Sequence, residues 1–190
     1  KVSSAWRANI VTNAYEINVT DTSICENLLI TSNATPFTIS RLCLGMPADA
    51  PSASDGFTLS GGSVGGTVED SVFGLGNLNA RNRSAINLSS TGNVTFDRCK
   101  TVFTGNPTTN PSAVTSSITD SITFDDCFFT GWHNHSQSTN MSYTNFEAAG
   151  TPGAPIDVAS NAAWMSLSNK CSGFLVENGD FPETETLGTG

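Results

Sequence analysis

The chain has 190 residues, a net charge of −9 and only 13% charged residues. Eight scattered Lys and Arg leave no electrostatic footprint for a nucleic-acid backbone, and no apolar run reaches the ~18 residues of a membrane-spanning helix. A hydrophobic fraction of 37% with 11 Phe is enough for a core, while the wealth of Ser, Thr, Asn and Gly points to short strands and turns rather than a helical bundle.

In chain order, the first segment is the least regular. Lys1 stands where a Met is usual and the chain closes on Gly-Thr-Gly, so both ends are expected to be cut or processed ends. Residues 6–30 mix apolar residues with Asn, Thr and Asp. They are expected to form a cap or connecting segment within 1–36, covering one end of the strands that come after it. Residues 37–181 are expected to be one β-solenoid domain, and 182–190 a tail or linker. Loops are expected at 47–54, 61–66 and 106–112, from their Gly, Pro, Ser and Asn content.

An internal repeat organises the domain. Val94-Thr95-Phe96-Asp97-Arg98-Cys99 returns 28 residues later as Ile122-Thr123-Phe124-Asp125-Asp126-Cys127. Met141-Ser142-Tyr143-Thr144 continues it after a further 19, and Met165-Ser166-Leu167-Ser168 is read as a weaker fourth copy. Phe37-Thr38-Ile39-Ser40, Phe57-Thr58-Leu59-Ser60 and Ile86-Asn87-Leu88-Ser89 share the same alternation upstream. Period-two alternation bounded by turn residues is a short strand with one face inward. A constant strand core with loops of variable length predicts an all-β fold, a right-handed parallel β-helix in which equivalent residues stack. Phe96 should then lie on Phe124 and Cys99 on Cys127. A β-sandwich or jelly roll is the alternative, since it too recurs in short alternating strands.

Five cysteines without a Cys-x-x-Cys pair predict no zinc or redox motif, and the stacked pair is expected to remain reduced. No metal or cofactor site is expected. Sequons occur at Asn18, Asn33, Asn82, Asn87, Asn93, Asn134 and Asn140, against about four or five from composition alone. Asn33 is in a poor context, ahead of Thr35-Pro36. The others are candidate glycosylation sites.

On its repeated rungs, over roughly residues 37–181, the chain resembles right-handed parallel β-helix proteins of the phage and viral tailspike and surface-appendage type. The resemblance is to an architecture rather than to one family. It implies an extracellular or virion-surface protein that forms homotrimers and binds or cleaves cell-surface polysaccharide. From the scarce, scattered Lys and Arg no nucleic-acid partner is expected, and from the lack of a long apolar run no membrane insertion. Polygalacturonase-type enzymes on this fold share only Asp125-Asp126-Cys127 with this chain, and their other motifs are missing.

Two sets of residues carry candidate chemistry. Asp97 and Asp125 fall at equivalent places on adjacent rungs, and with Asp126 or Asp120 they are the candidates for a carboxylate pair of the kind glycan hydrolysis needs. Strand-end Asp residues also serve simply to cap turns. Trp132, His133 and His135 are expected in an exposed loop, where an aromatic beside imidazoles offers a platform for a sugar. The leading expectation is a non-enzymatic adhesin, receptor-binding or structural appendage, with loops 104–118 and 129–140 as its recognition surface. A polysaccharide depolymerase, glycosidase or lyase, and a glycosylated viral spike with a β-sandwich fold are the alternatives.

Overall fold

In the computed structural model, the described residues are 7–11, 17–24, 27–31, 35–45, 56–62, 64–75, 84–89, 92–103, 112–117, 120–130, 132–135, 140–145, 147–149, 165–167, 175–177 and 188–189. Among them the chain is built from strands that recur in threes. The first circuits are β1 (Arg7–Val11), β2 (Ile17–Thr20) and β3 (Ser23–Ile24), then β4 (Asn27–Thr31), β5 (Phe37–Ser40) and β6 (Cys43–Leu44). The third is β7 (Phe57–Ser60), β8 (Gly65–Glu69) and β9 (Val72–Leu75), and the fourth is β10 (Ser84–Ser89), β11 (Asn93–Asp97) and β12 (Lys100–Phe103). There follow β13 (Ser112–Ser116), β14 (Ile122–Asp125) and β15 (Phe128–Thr130), then β16 (Trp132–His135), β17 (Met141–Thr144) and β18 (Glu147–Ala149). The last strands are β19 (Met165–Leu167), β20 (Leu175–Glu177) and β21 (Gly188–Thr189).

Each strand pairs with the strand one circuit away. Sheet I runs β1-β4-β7-β10-β13-β16-β19-β21, sheet II runs β2-β5-β8-β11-β14-β17-β20, and sheet III runs β3-β6-β9-β12-β15-β18. Every described pair is parallel. The antiparallel pairs that a sandwich or jelly roll would need are missing from the described residues. The fold is therefore all-β, with stacked parallel strands in three sheets.

The expected repeat is recovered in sheet II, where Val94 to Asp97 pair residue for residue with Ile122 to Asp125, and these with Met141 to Thr144. Phe37 to Ser40 belong to the same sheet. Three of the proposed copies do not. Phe57-Thr58-Leu59-Ser60 and Ile86-Asn87-Leu88-Ser89 pair with each other in sheet I, and Met165 pairs with His133 there. The continuation of sheet II after Tyr143 is Val176. All three sheets face one interior, so all impose the same alternation, and a short motif cannot say which sheet it occupies.

β1, β2 and β3 join the same three sheets as the later strands, so among the described residues no break separates 1–36 from the rest. β21, within the expected tail, pairs with β19.

The interior is a column of rings. Phe96 stacks on Phe124 with centroids 5.2 Å apart and planes at 12°, and Phe124 stacks on Tyr143 at 4.8 Å and 23°. Phe57 and Phe73 enter from sheets I and III and meet Phe96 at 6.4 and 6.3 Å, at steep angles. Each ring is fully buried, and face-to-edge contacts of this kind add to the area term. Where a ring would be too large, the rung carries glycine. Gly66 pairs with Phe37, and a Cβ added to it would run into the Phe37 carbonyl and its ring Cγ at 2.7 Å.

Candidate functional site

The chain passes from sheet II to sheet III through a two-residue turn whose first residue is left-handed on every described circuit. These are Asp21, Arg41, Asp70, Arg98, Asp126 and Asn145, with φ between 48° and 53°. Asp and Asn tolerate this region through local hydrogen bonding, whereas Arg does so at a cost of about 1–2 kcal/mol. The first turn residue is nonetheless bonded through its backbone N–H on each of these circuits. The backbone N–H of each of these residues donates to a sheet II carbonyl one circuit on: Asp21 to Ser40, Arg41 to Glu69, Asp70 to Asp97, Arg98 to Asp125, Asp126 to Thr144 and Asn145 to Glu177, at 2.9–3.1 Å. The parallel ladder thus crosses the corner without interruption.

Stacking these turns sets acid and base alternately along one edge. Arg41 grips Asp21 with Nε–Oδ1 at 2.5 Å and Nη2–Oδ2 at 2.9 Å. Arg98 does the same to Asp70, at 2.7 and 3.2 Å, and also contacts Asp97 and Glu69. The hydrogen bonds donated by Arg41 and Arg98 hold the Asp21 and Asp70 carboxyls below the ordinary carboxylate range. The same pairing raises Arg98. The alternation stops at Asp126, because the next circuit offers Asn145 rather than an arginine.

The second turn residue points inward and ties the corner. Ser71 Oγ donates to the Glu69 carbonyl at 2.7 Å and accepts from the Leu42 N–H at 3.1 Å. Cys127 Sγ repeats both contacts, donating to the Asp125 carbonyl at 3.2 Å and accepting from the Cys99 N–H at 3.4 Å. Cys99 donates to the Asp97 and Val68 carbonyls, each at 3.4 Å. The stacked cysteines are free thiols, as expected. Hydrogen bonding with Cys99, followed by burial, pushes the Cys127 thiol far above its ordinary value. Cys43 is free and exposed, whereas Cys25 and Cys171 lie outside the described residues.

Beside this edge lies an open groove of about 570 Å³. Its floor is the outward column Val72, Lys100 and Phe128 of sheet III, successive partners in register. Its wall is the turn column Asp70, Arg98, Asp126 and Asn145, with Cys127 at the base. Val72 and Phe128 are half-buried, while Lys100 and Asp126 are exposed. No single repeat shows the groove, so sequence reasoning misses it. The signal that could find it is the residue after each sheet II rung, read down the stack.

The candidate residues named from sequence fall in different places. Asp97 and Asp125 are register partners at the outer end of sheet II, so one strand spacing, about 4.8 Å, separates their backbones. Both already accept hydrogen bonds, Asp97 from Arg98 and Asp125 from Asn145 Nδ2 at 3.5 Å. Asp126 is in the turn, facing the groove. Asp120 precedes the opposite end of β14 and cannot join that pair.

The exposed-loop reading of 132–135 is corrected. These residues form β16 in sheet I, and His133 is completely buried. It occupies the inward column after Val114, lies 5.5–5.7 Å from the rings of Phe124, Phe129 and Tyr143, and its Nδ1 is 3.1 Å from the Tyr143 hydroxyl. The polar tip of Tyr143 needs a buried partner, and His133 supplies it. The side chains of Trp132 and His135 lie outside the described residues.

Among the sequons, Asn18, Asn93 and Asn140 are exposed and Asn87 is half-buried. Asn33, Asn82 and the side chain of Asn134 lie outside the described residues, as do most of loops 104–118 and 136–139. Comparison with protein-family models, curated proteins and solved structures finds no match to this chain.

Proposed function

We propose that the chain is a right-handed parallel β-helix serving as a non-enzymatic adhesin, receptor-binding or structural module of an extracellular or virion-surface appendage that contacts cell-surface glycans. The observation that carries this reading is the contrast between rungs and circuits. The sheet II rungs keep their register, yet one circuit closes in 19 residues, from Ile122 to Met141, and another takes 33, from Ser142 to Leu175. A scaffold that holds its core constant while its connections vary is suited to display. Homotrimerisation and glycosylation at the exposed Asn18, Asn93 and Asn140 belong to the same reading. Its test is surface plasmon resonance of the purified chain over immobilised bacterial and animal polysaccharides. Saturable retention on at least one is expected, and none on any of them would sink it.

A second reading, a polysaccharide depolymerase, is favoured by one feature, the register pairing of Asp97 with Asp125. Loss of polysaccharide chain length that disappears in Asp125→Asn would replace the first reading with the second.

A further inference from the structure

We propose that the groove between the charged turn column and sheet III is a binding site for neutral hexose units of an oligosaccharide. The inference rests on the reading of the chain as a glycan-contacting module and assigns that contact to particular residues.

A pyranose ring presents a C–H face and a rim of hydroxyls, and the groove has a surface for each. The half-buried Phe128 ring, Val72 and the aliphatic stem of Lys100 form one apolar column. Parallel to it run Asp126 and Asn145, whose carboxylate and carboxamide supply polar groups to the groove. Among the described residues, neither the Asp126 carboxylate nor the Lys100 ammonium is engaged by another side chain, so both are available to hydroxyls. Arg98, by contrast, is occupied by Asp70 and Asp97.

Size and rigidity agree with this. The volume of about 570 Å³ falls within the ~300–1,000 Å³ usual for small-molecule sites. The lining comes from four successive circuits, a run of about 14 Å at one strand spacing each. The wall is held by the turn hydrogen bonds from Arg98 to Asp125 and from Asp126 to Thr144, both 2.9 Å, so little ordering is left to binding.

Charge selects the class. The chain carries −9 overall, and the column Glu69, Asp97 and Asp125 ends each rung one residue before the wall. A polyanionic glycan would meet that field at close range, whereas a neutral one would not.

The test is isothermal titration of the whole chain with neutral gluco-, manno- and galacto-oligosaccharides and with oligogalacturonate. It is repeated on Asp126→Asn/Lys100→Gln, on Phe128→Ala and on Arg41→Gln. The first substitutions keep a residue suited to the left-handed turn and alter only exposed groups, and Arg41 lies on the same edge outside the groove. At least one neutral oligosaccharide is expected to bind and the oligogalacturonate to bind more weakly. The double variant and Phe128→Ala should each lose about tenfold or more in affinity, while Arg41→Gln is unchanged. Neutral binding untouched by the groove variants would overturn the assignment and leave the glycan reading in place. Preference for the oligogalacturonate would overturn the ligand class. Failure of every oligosaccharide here, with retention in the resonance experiment, would overturn the groove alone; failure in both would overturn the glycan reading with it.

Discussion

Cys99 and Cys127 do at their corners what Ser71 does one circuit earlier: a small side chain donates to the carbonyl two residues back, and Ser71 and Cys127 also accept from the preceding circuit. Cys127→Ser should therefore be tolerated within about 1 kcal/mol, whereas Cys127→Val removes the acceptor of a buried N–H and should cost about 1–3 kcal/mol. Urea unfolding of the two variants distinguishes them. Because the Cys127 thiol is raised above the ordinary 9.0 in the folded state, the stability linked to it is fully present below that pH and declines as pH rises beyond it. The acidic side runs oppositely. Asp21 and Asp70 are lowered from 3.8 by Arg41 and Arg98, so their contribution is present above that pH and lost as pH falls through and below it. These pairs are exposed, so the effect should be small and should shrink further in high salt. Thermal melts at pH 6 and pH 3, at low and high salt, check this. The edge ladder is hidden in the sequence because Arg in a left-handed turn runs against local propensity. Its members align only when the strands before them are placed in register.

At the scale of the strand, the stack depends on matching large and small residues down each column. Phe124 lies between Phe96 and Tyr143, and Phe124→Ala should cost about 3–5 kcal/mol. Gly66 stands against Phe37, and Gly66→Val should prevent the β5–β8 register outright, read as loss of the cooperative unfolding transition. Gly62 is the control. Its φ is +77° but nothing approaches within 4 Å, so Gly62→Ala should cost only about 1 kcal/mol of backbone strain. The strand cores are legible in sequence because alternation and the Val94/Ile122 repeat name the inward residues directly. The start of β8 is not, because Gly66 stands where the motif has Val94 and Gly65 precedes it opposite Asn93, so 61–66 looks like loop throughout. The burial of His133 is equally hidden: a histidine beside a tryptophan carries no mark of the buried Tyr143 hydroxyl it must meet.

Over the whole molecule, the ring column fixes the rungs while the connections between them vary in length. Strands of residues 7–31 share the sheets of the rest, so trimming them should expose the free edges of the neighbouring circuit and promote aggregation. Light scattering of the trimmed chain against the intact one reads this directly. If the appendage reading holds, the intact chain should elute at about three times its 19.9 kDa mass. Holding a glycan without breaking it is what the proposed function requires of the chain. It is tested by incubating the protein with the polysaccharide it retains and measuring glycan length by mass spectrometry. The expected result is an unchanged length distribution with the glycan recovered bound to the protein. Progressive shortening that stops in Asp125→Asn would contradict it.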